Sequence, residues 1–192
     1  MRGARMQQVV NIFQCQPVQP SDAPALQHLY ASSPRYFRTI AAPIPLLEDV
    51  TRELESALSD PRRQLEFVVV SGERIGYLDL KFDYPQTGDV TVNLLLIAET
   101  QQRRGLGALV MRDLERRLSG RVRKILAGVF FENSGAAAFW EGLGYHFAVD
   151  ARPVLSWYAK ELGMQPARET AQLETVQLET QQLETPQLEA VR

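Results

Sequence analysis

Ten residues in the middle of this chain, Gln101 to Val110, have types and spacing suited to holding an anion. They read QQRRGLGALV: two arginines, two glycines one residue apart, then an apolar helical pattern. A strand that ends in a short turn and enters a helix leaves the first amides of that helix unpaired. Those amides and the helix dipole favour negative charge. Glycine at 105 and 107 removes β-carbons that would keep a diphosphate off the backbone, and Arg103 and Arg104 add positive charge beside it. Three phosphate motifs compete for the stretch. A P-loop requires Lys-Ser or Lys-Thr after its glycines, and neither follows here. A dinucleotide fingerprint requires a third glycine, but Val110 stands there and the surrounding βαβ repeat is missing. The pattern that fits is Q/R-x-x-G-x-G/A, filled by Gln102, Arg103, Arg104, Gly105, Leu106 and Gly107, with Ala108 next. A glycine-flexed loop with no ligand is the plain alternative.

The elements around this turn must position it. "VTVNLLLI" (Val90 to Ile97) is nearly continuous apolar, as expected of a central strand covered on both faces. After the turn, Leu106, Leu109, Val110, Leu114 and Leu118 make a helical stripe that Gly120 can stop. Upstream, Val9 to Val18 is β-rich, and Ser21 and Asp22 are placed to cap a helix running to about Leu29. Ser32 to Phe37 reads as a turn cluster. Pro45 to Leu58 reads as a helix with Leu46, Leu47, Val50, Leu54 and Leu58 on one face. Strands follow in "LEFVVV" and "RIGYLDLKF", joined at Ser71-Gly72; in the second, Leu78, Leu80 and Phe82 alternate with Tyr77, Asp79 and Lys81. "VRKILAGVFF" is another strand, Asn133 caps a short helix ending at Gly144, and "YHFAV" and "VLSWYAKEL" close the sheet.

The bulk properties exclude several classes. At 192 residues, 45% hydrophobic and 23% charged, the chain has the length and composition of one globular domain. A formal net charge of −2 gives no electrostatic footprint for nucleic acid. One cysteine, Cys15, and two distant histidines, His28 and His146, argue against a disulfide or a metal site. No run is long and apolar enough for a signal peptide or a membrane span, so a cytoplasmic location is expected. Cys15 itself reads as a small apolar residue rather than a nucleophile. From Gln172 the chain repeats QLETV, QLETQ, QLETP and QLEAV. A leucine every fifth residue advances about 140° net on a helix, so the four leucines never share a face. The expected domains are therefore a flexible extension over 1–12, one domain over 13–164, and a disordered tail over 165–192.

Two motifs in order carry a family resemblance. The first is LLLIAETQQRRGLGALV, with Ile97 at the apolar position five before Gln102. The second is NSGAAAFWEGLGY, where Asn133, Ala136, Gly144 and Tyr145 match N-x-x-A-x-x-x-Y-x-x-x-G-[FY] and Trp140 replaces the tyrosine. From about Phe13 to Leu162 the chain resembles the GNAT superfamily of acyl-CoA-dependent N-acetyltransferases. The resemblance implies a mixed α/β (α+β) fold, a central, mostly antiparallel twisted sheet flanked by helices. It implies acetyl-CoA as co-substrate, no metal, and the glycine turn as cradle for the coenzyme A pyrophosphate. Leu95, Leu96 and Ile97 would offer main-chain groups to the pantetheine and the thioester carbonyl. Asn133 and Trp140 would complete the cofactor site.

The implied reaction is attack by an amine on a thioester. A lysine-type amine has a pKa near 10.4, so presenting it neutral at pH 7 costs roughly 4–5 kcal/mol without help. Asp79, on a strand face with Tyr77 and Lys81, is the candidate base, its bland reading being a strand charge paired with Lys81. Glu99, just past the strand end, is a second carboxylate. Asn93 could orient the amine or a water. Indole cannot act as the family's general acid, although a coenzyme A thiolate with a cysteine-like pKa near 8.5 leaves tolerably well; Tyr145 or Tyr84 could substitute in space. Arg35, Tyr36, Phe37 and Tyr84 are candidates for the acceptor site. The expected function is acetyl transfer to a small-molecule or amino-acid-like primary amine, with no nucleic-acid or membrane partner and a homodimer left open. Two alternatives stand: a protein N-terminal or lysine acetyltransferase, and a non-catalytic acyl-CoA binder or sensor.

Overall fold

The computed structural model describes residues 13–130, 133–151 and 155–162. The QLET repeats, the first twelve residues and the segment from 163 onward lie outside them. The element order is β1 (Gln14–Pro17), α1 (Ala23–Ala31), α2 (Pro34–Thr39), α3 (Leu47–Ser59), β2 (Arg63–Val70), β3 (Glu73–Phe82), β4 (Asp89–Ile97), α4 (Leu106–Leu118), β5 (Lys124–Phe130), α5 (Ser134–Gly142), β6 (His146–Ala151) and β7 (Leu155–Glu161). The seven strands form one sheet in the order β1-β2-β3-β4-β5-β7-β6. Every pairing is antiparallel except β4 with β5.

Alternation along the strands divides the core into two layers. Leu78, Leu80, Val90 and Val92 face α4, whose Val110, Met111 and Leu114 are fully buried. Phe67, Val69, Tyr77 and Leu96 face α1 and α3, which supply Leu26, Leu29, Val50 and Leu54. A sheet covered on both faces has no room for polar side chains without partners. The two charged residues it buries on β2 and β4 are accordingly paired: Glu66 with Arg117 at 2.9 Å, and Asp89 with Arg123 at 2.8 Å.

Two stretches differ from the sequence reading. The expected turn over Ser32–Phe37 holds the start of a short helix, α2, with Pro34 in its first turn. There proline's fixed φ is preorganised and its missing N–H costs nothing. The helix expected from Pro45 begins at Leu47, and its buried stripe is Val50, Leu54 and Ala57. Leu46 precedes the helix in extended conformation and is 69% exposed, while Leu47 and Leu58 fall at the margin of the stripe.

What positions the site is the way β4 and β5 part. Their parallel ladder runs only from Asp89–Lys124 to Val92–Ala127. Beyond it β4 continues to Ile97 on β3, and β5 continues to Phe130 on β7. The register of β3 against β4 also slips between Asp79 and Leu80, leaving Asn93 as an extra residue in β4. A bulge of this kind bends the strand and increases its twist. From Leu94 onward, the β5-facing edge of β4 has no strand beside it among the described residues.

Candidate active site

The glycine turn sits at the end of that unpaired edge. A single 3-10 turn, Glu99–Gln101, leads from Ile97 into the loop. Gln102 folds back, its Nε2 donating to the Ile97 carbonyl at 2.8 Å, and so fixes the loop to the strand end. Arg103 and Gly105 both take left-handed backbone conformations, φ 57° and 78°. Gly105 is the residue before the first turn of α4. The first intrahelical bond runs from the Leu109 amide to the Gly105 carbonyl at 3.0 Å, so the amides of Leu106, Gly107 and Ala108 precede it. A β-carbon at Gly105 would meet nothing within 4 Å, so the space before the turn is open. Gly107 is glycine for another reason: a β-carbon there would lie 3.3 Å from the Phe139 ring of α5.

These amides open into a cleft of about 570 Å³. One wall is Leu95, Leu96 and Ile97 of β4; the floor is Gly105 to Ala108. A second wall comes from α5, through Asn133, Ala136 and Phe139, and a third from α2, through Arg35, Tyr36 and Thr39. The residues expected to hold the cofactor are thus largely brought together. Arg103 and Gln102 line the cleft as well, whereas Arg104 turns aside to Gln101. Asn133 caps α5 by accepting the Ala136 amide at 3.0 Å. Trp140 is 6% exposed, off the cleft wall, with its ring against Tyr145 at 4.9 Å. Phe139, one residue earlier, takes the wall position expected of Trp140.

The proposed catalytic and acceptor residues separate. Asp79 is buried and accepts from Arg63 through both oxygens, Nε to Oδ1 at 2.9 Å and Nη2 to Oδ2. Burial raises its carboxyl above the ordinary carboxylate range, against the opposing pull of Arg63 and Asn93. Asn93 is exposed at the bulge, its Nδ2 donating to Asp79 Oδ1 at 3.3 Å. Neither is on the cleft wall. Tyr145 is fully buried beneath Trp140 and the Lys160 ammonium. Phe37 packs in the core against Tyr30, and Tyr84 lies under the Lys81 ammonium. Of the four acceptor candidates, Arg35 and Tyr36 line the cleft. Cys15 is half-buried, and burial with the nearby Glu66 charge pushes its thiol up to about 12, which leaves no thiolate for nucleophilic work.

Glu99 has a role that no local pattern reveals. Its Oε1 accepts the backbone amide of Arg35, 64 residues away, at 2.5 Å. The carboxylate therefore ties the start of α2 to the turn that leads into the glycine loop. Removing it in Glu99→Ala should speed hydrogen exchange at the Arg35 amide by about tenfold, the loss of roughly one charge-assisted hydrogen bond. Unchanged exchange would mean the contact does not hold α2.

A parallel strand pair that parts, a glycine turn at a helix start and a cleft between them define a protein suited to an anionic ligand laid along an open strand edge. Comparison with known proteins places it. The GNAT acetyltransferase family model matches residues 23–145. An acetyltransferase from Thermus thermophilus is 40% identical, covering 78% of this chain and 97% of its own at a TM-score of 0.76. A Salmonella typhimurium acetyltransferase that modifies the N-terminal serine of ribosomal protein L7/L12 is 13% identical, with 81% and 98% covered and a TM-score of 0.70. Spermidine N-acetyltransferase of Vibrio cholerae, solved with CoA and spermine, is 13% identical, with 79% and 96% covered and a TM-score of 0.64. No curated protein matches the chain. The chain belongs to the GNAT acetyltransferase family and is an acetyl-CoA-dependent N-acetyltransferase.

Proposed function

We propose that the acceptor is the primary amine of a small, amino-acid-like molecule. The observation that carries this reading is Arg35: its side chain lines the cleft and has no ion-pair partner among the described residues. A guanidinium on the cleft wall is suited to a carboxylate or another anionic group on the acceptor. A cleft of about 570 Å³ is in the range of small-molecule sites.

In this reading the amides of Leu106, Gly107 and Ala108, with Arg103, hold the coenzyme A pyrophosphate. The free edge of β4 from Leu95 to Ile97 aligns the pantetheine. Acetyl-CoA, when bound, supplies an activated acyl carbon at that edge. Asn93 stands at the bulge two residues before Leu95, off the cleft wall itself. Its Nδ2 is committed to Asp79, so its Oδ1 is left to accept from the incoming amine or from a water that takes the amine proton. Asp79 acts through Asn93, and Arg63 fixes Asp79.

The rival acceptor is a protein N-terminus or lysine, and one solved relative does modify an N-terminal serine. A thiol-release assay with acetyl-CoA separates the two over free amino acids, dipeptides, polyamines, aminoglycosides and peptides with free N-termini. Amino-acid-like acceptors should give kcat/KM values at least about tenfold above the peptides, with that advantage lost in Arg35→Ala. Peptides preferred over amino acids, or an Arg35→Ala variant with unchanged selectivity, would overturn the reading.

A further inference from the structure

We propose that Tyr36 is a catalytic residue whose hydroxyl donates a hydrogen bond to the sulfur of the departing coenzyme A thiolate. The inference rests on the coenzyme A reading of the cleft. It begins with what α5 does not bring there. At the position where the family pattern has tyrosine, this chain has Trp140, buried and turned away from the cleft. Phe139 on the wall offers only carbon, and Tyr145 is sealed beneath Trp140.

Across the cleft, α2 supplies a phenol. Tyr36 is half-buried, its ring edge-on to Phe37 at 5.1 Å, and it packs on the core layer that contains Leu96 of the β4 edge. Its hydroxyl has no hydrogen-bond partner among the described residues. Among the other polar side chains on the walls, Gln102 donates to Ile97 and the Thr39 hydroxyl donates to the Arg35 carbonyl at 2.9 Å. Gln101 accepts from Arg104 through Oε1, and Asn133 accepts the Ala136 amide through Oδ1. The amide nitrogens of Gln101 and Asn133 have no acceptor among the described residues and are the competing donors. Arg35 and Arg103 are cations, matched to phosphate or carboxylate rather than to a polarisable sulfur. The Glu99 contact at the neighbouring Arg35 amide fixes Tyr36 relative to the strand end.

The chemistry balances without moving the tyrosine proton. The amine nitrogen bonds to the acyl carbon, the C–S bond breaks, its electron pair goes to sulfur, and the nitrogen sheds one proton to water. Burial holds the Tyr36 phenol up to about 12. A thiol titrates near 8.5, so the phenol shares its proton with the thiolate and does not give it up. A donor that stays protonated stabilises a developing anion without any reorganisation.

The test uses free coenzyme A, bound to the full chain. Thiolate absorbance in the ultraviolet is followed through a pH titration, with ligand-free protein subtracted, for the native protein, Tyr36→Phe and Asn133→Ala. Phenylalanine preserves the ring contact with Phe37, so the fold is retained. The bound thiol should titrate about one unit higher in Tyr36→Phe than in the native protein, with affinity at neutral pH within about threefold. Equal thiol titration in these two complexes removes the Tyr36 assignment and leaves the cleft assignment standing. A shift in Asn133→Ala alone transfers the donor role to α5 and also overturns it. No binding of coenzyme A to the native protein removes the cleft assignment, and this proposal with it.

Discussion

Gly105→Val should abolish measurable coenzyme A binding, raising Kd by about 100-fold or more in calorimetric titration. The residue has φ 78° immediately before α4, and the amides that follow it precede the first intrahelical bond. A β-branched residue at that φ is a steric outlier. Relieving it means rotating the peptide that opens the helix, which re-aims the amides of Leu106 and Gly107. Hydrogen bonds to charged groups contribute about 1.5–3 kcal/mol each. Losing two of them exceeds the roughly 2.8 kcal/mol that corresponds to 100-fold. The open space around the position means that no packing contact is lost, so the stability cost is limited to backbone strain of about 1–3 kcal/mol. Gly105→Asn is the matching control, because asparagine tolerates the left-handed region; its Kd should stay within about tenfold of the native value. Equal binding by Gly105→Val would mean that the anion is held elsewhere. Gly107→Ala is a different experiment, since its methyl group would press on Phe139 and report on helix packing as well as on the ligand.

This cradle was legible in the sequence because everything that makes it is local. Two glycines, a preceding apolar strand and a following amphipathic helix all lie between Asp89 and Leu118. The same holds for α4, where the expected stripe is met except that Met111 is fully buried and Leu109 only half-buried. Features that depend on distant pairing were not legible. Nothing in "VLSWYAKEL" says that β7 inserts between β5 and β6, or that the β4–β5 ladder ends at Val92. Yet that ending opens the cleft. The bulge at Asn93 arises from register against β3, which no period within β4 encodes. Phe139 and Trp140 are neighbours of similar apolar character, and only the packing of α5 on the sheet decides which one faces the cleft. The tie from Glu99 to Arg35 joins a carboxylate to a backbone amide, and backbone amides leave no trace in composition. The short helix α2 did carry a signal, proline at its first position, but six residues are too few for a period to show.

Asp79 and Arg63 offer the second large effect, and it decides between two uses of a carboxylate. A general base needs an oxygen free to take a proton from its substrate. Both oxygens of Asp79 face Arg63, and one also accepts from Asn93. The side chains are 9% and 25% exposed, so removing one partner strands a charge that water reaches poorly. Asp79→Ala should therefore cost about 3 kcal/mol in urea unfolding, at the low end for a broken buried pair because Arg63 is partly exposed. Arg63→Met should cost a similar amount. The double variant Arg63→Met with Asp79→Leu should recover most of it, since apolar side chains of similar volume replace buried ion pairs at little cost. The coupling between the two positions should reach about 2 kcal/mol, well above the scatter expected for independent sites. A base without a structural partner would give the opposite result. Asp79→Asn would then leave stability unchanged, remove the alkaline-rising limb of kcat/KM, and show no coupling to Arg63. With the pairing seen here, the double variant should be stable yet slow, because Asn93 has lost the oxygen that orients its amide. Measured beside the native protein, stability and rate would then part company, as expected of a residue that positions another.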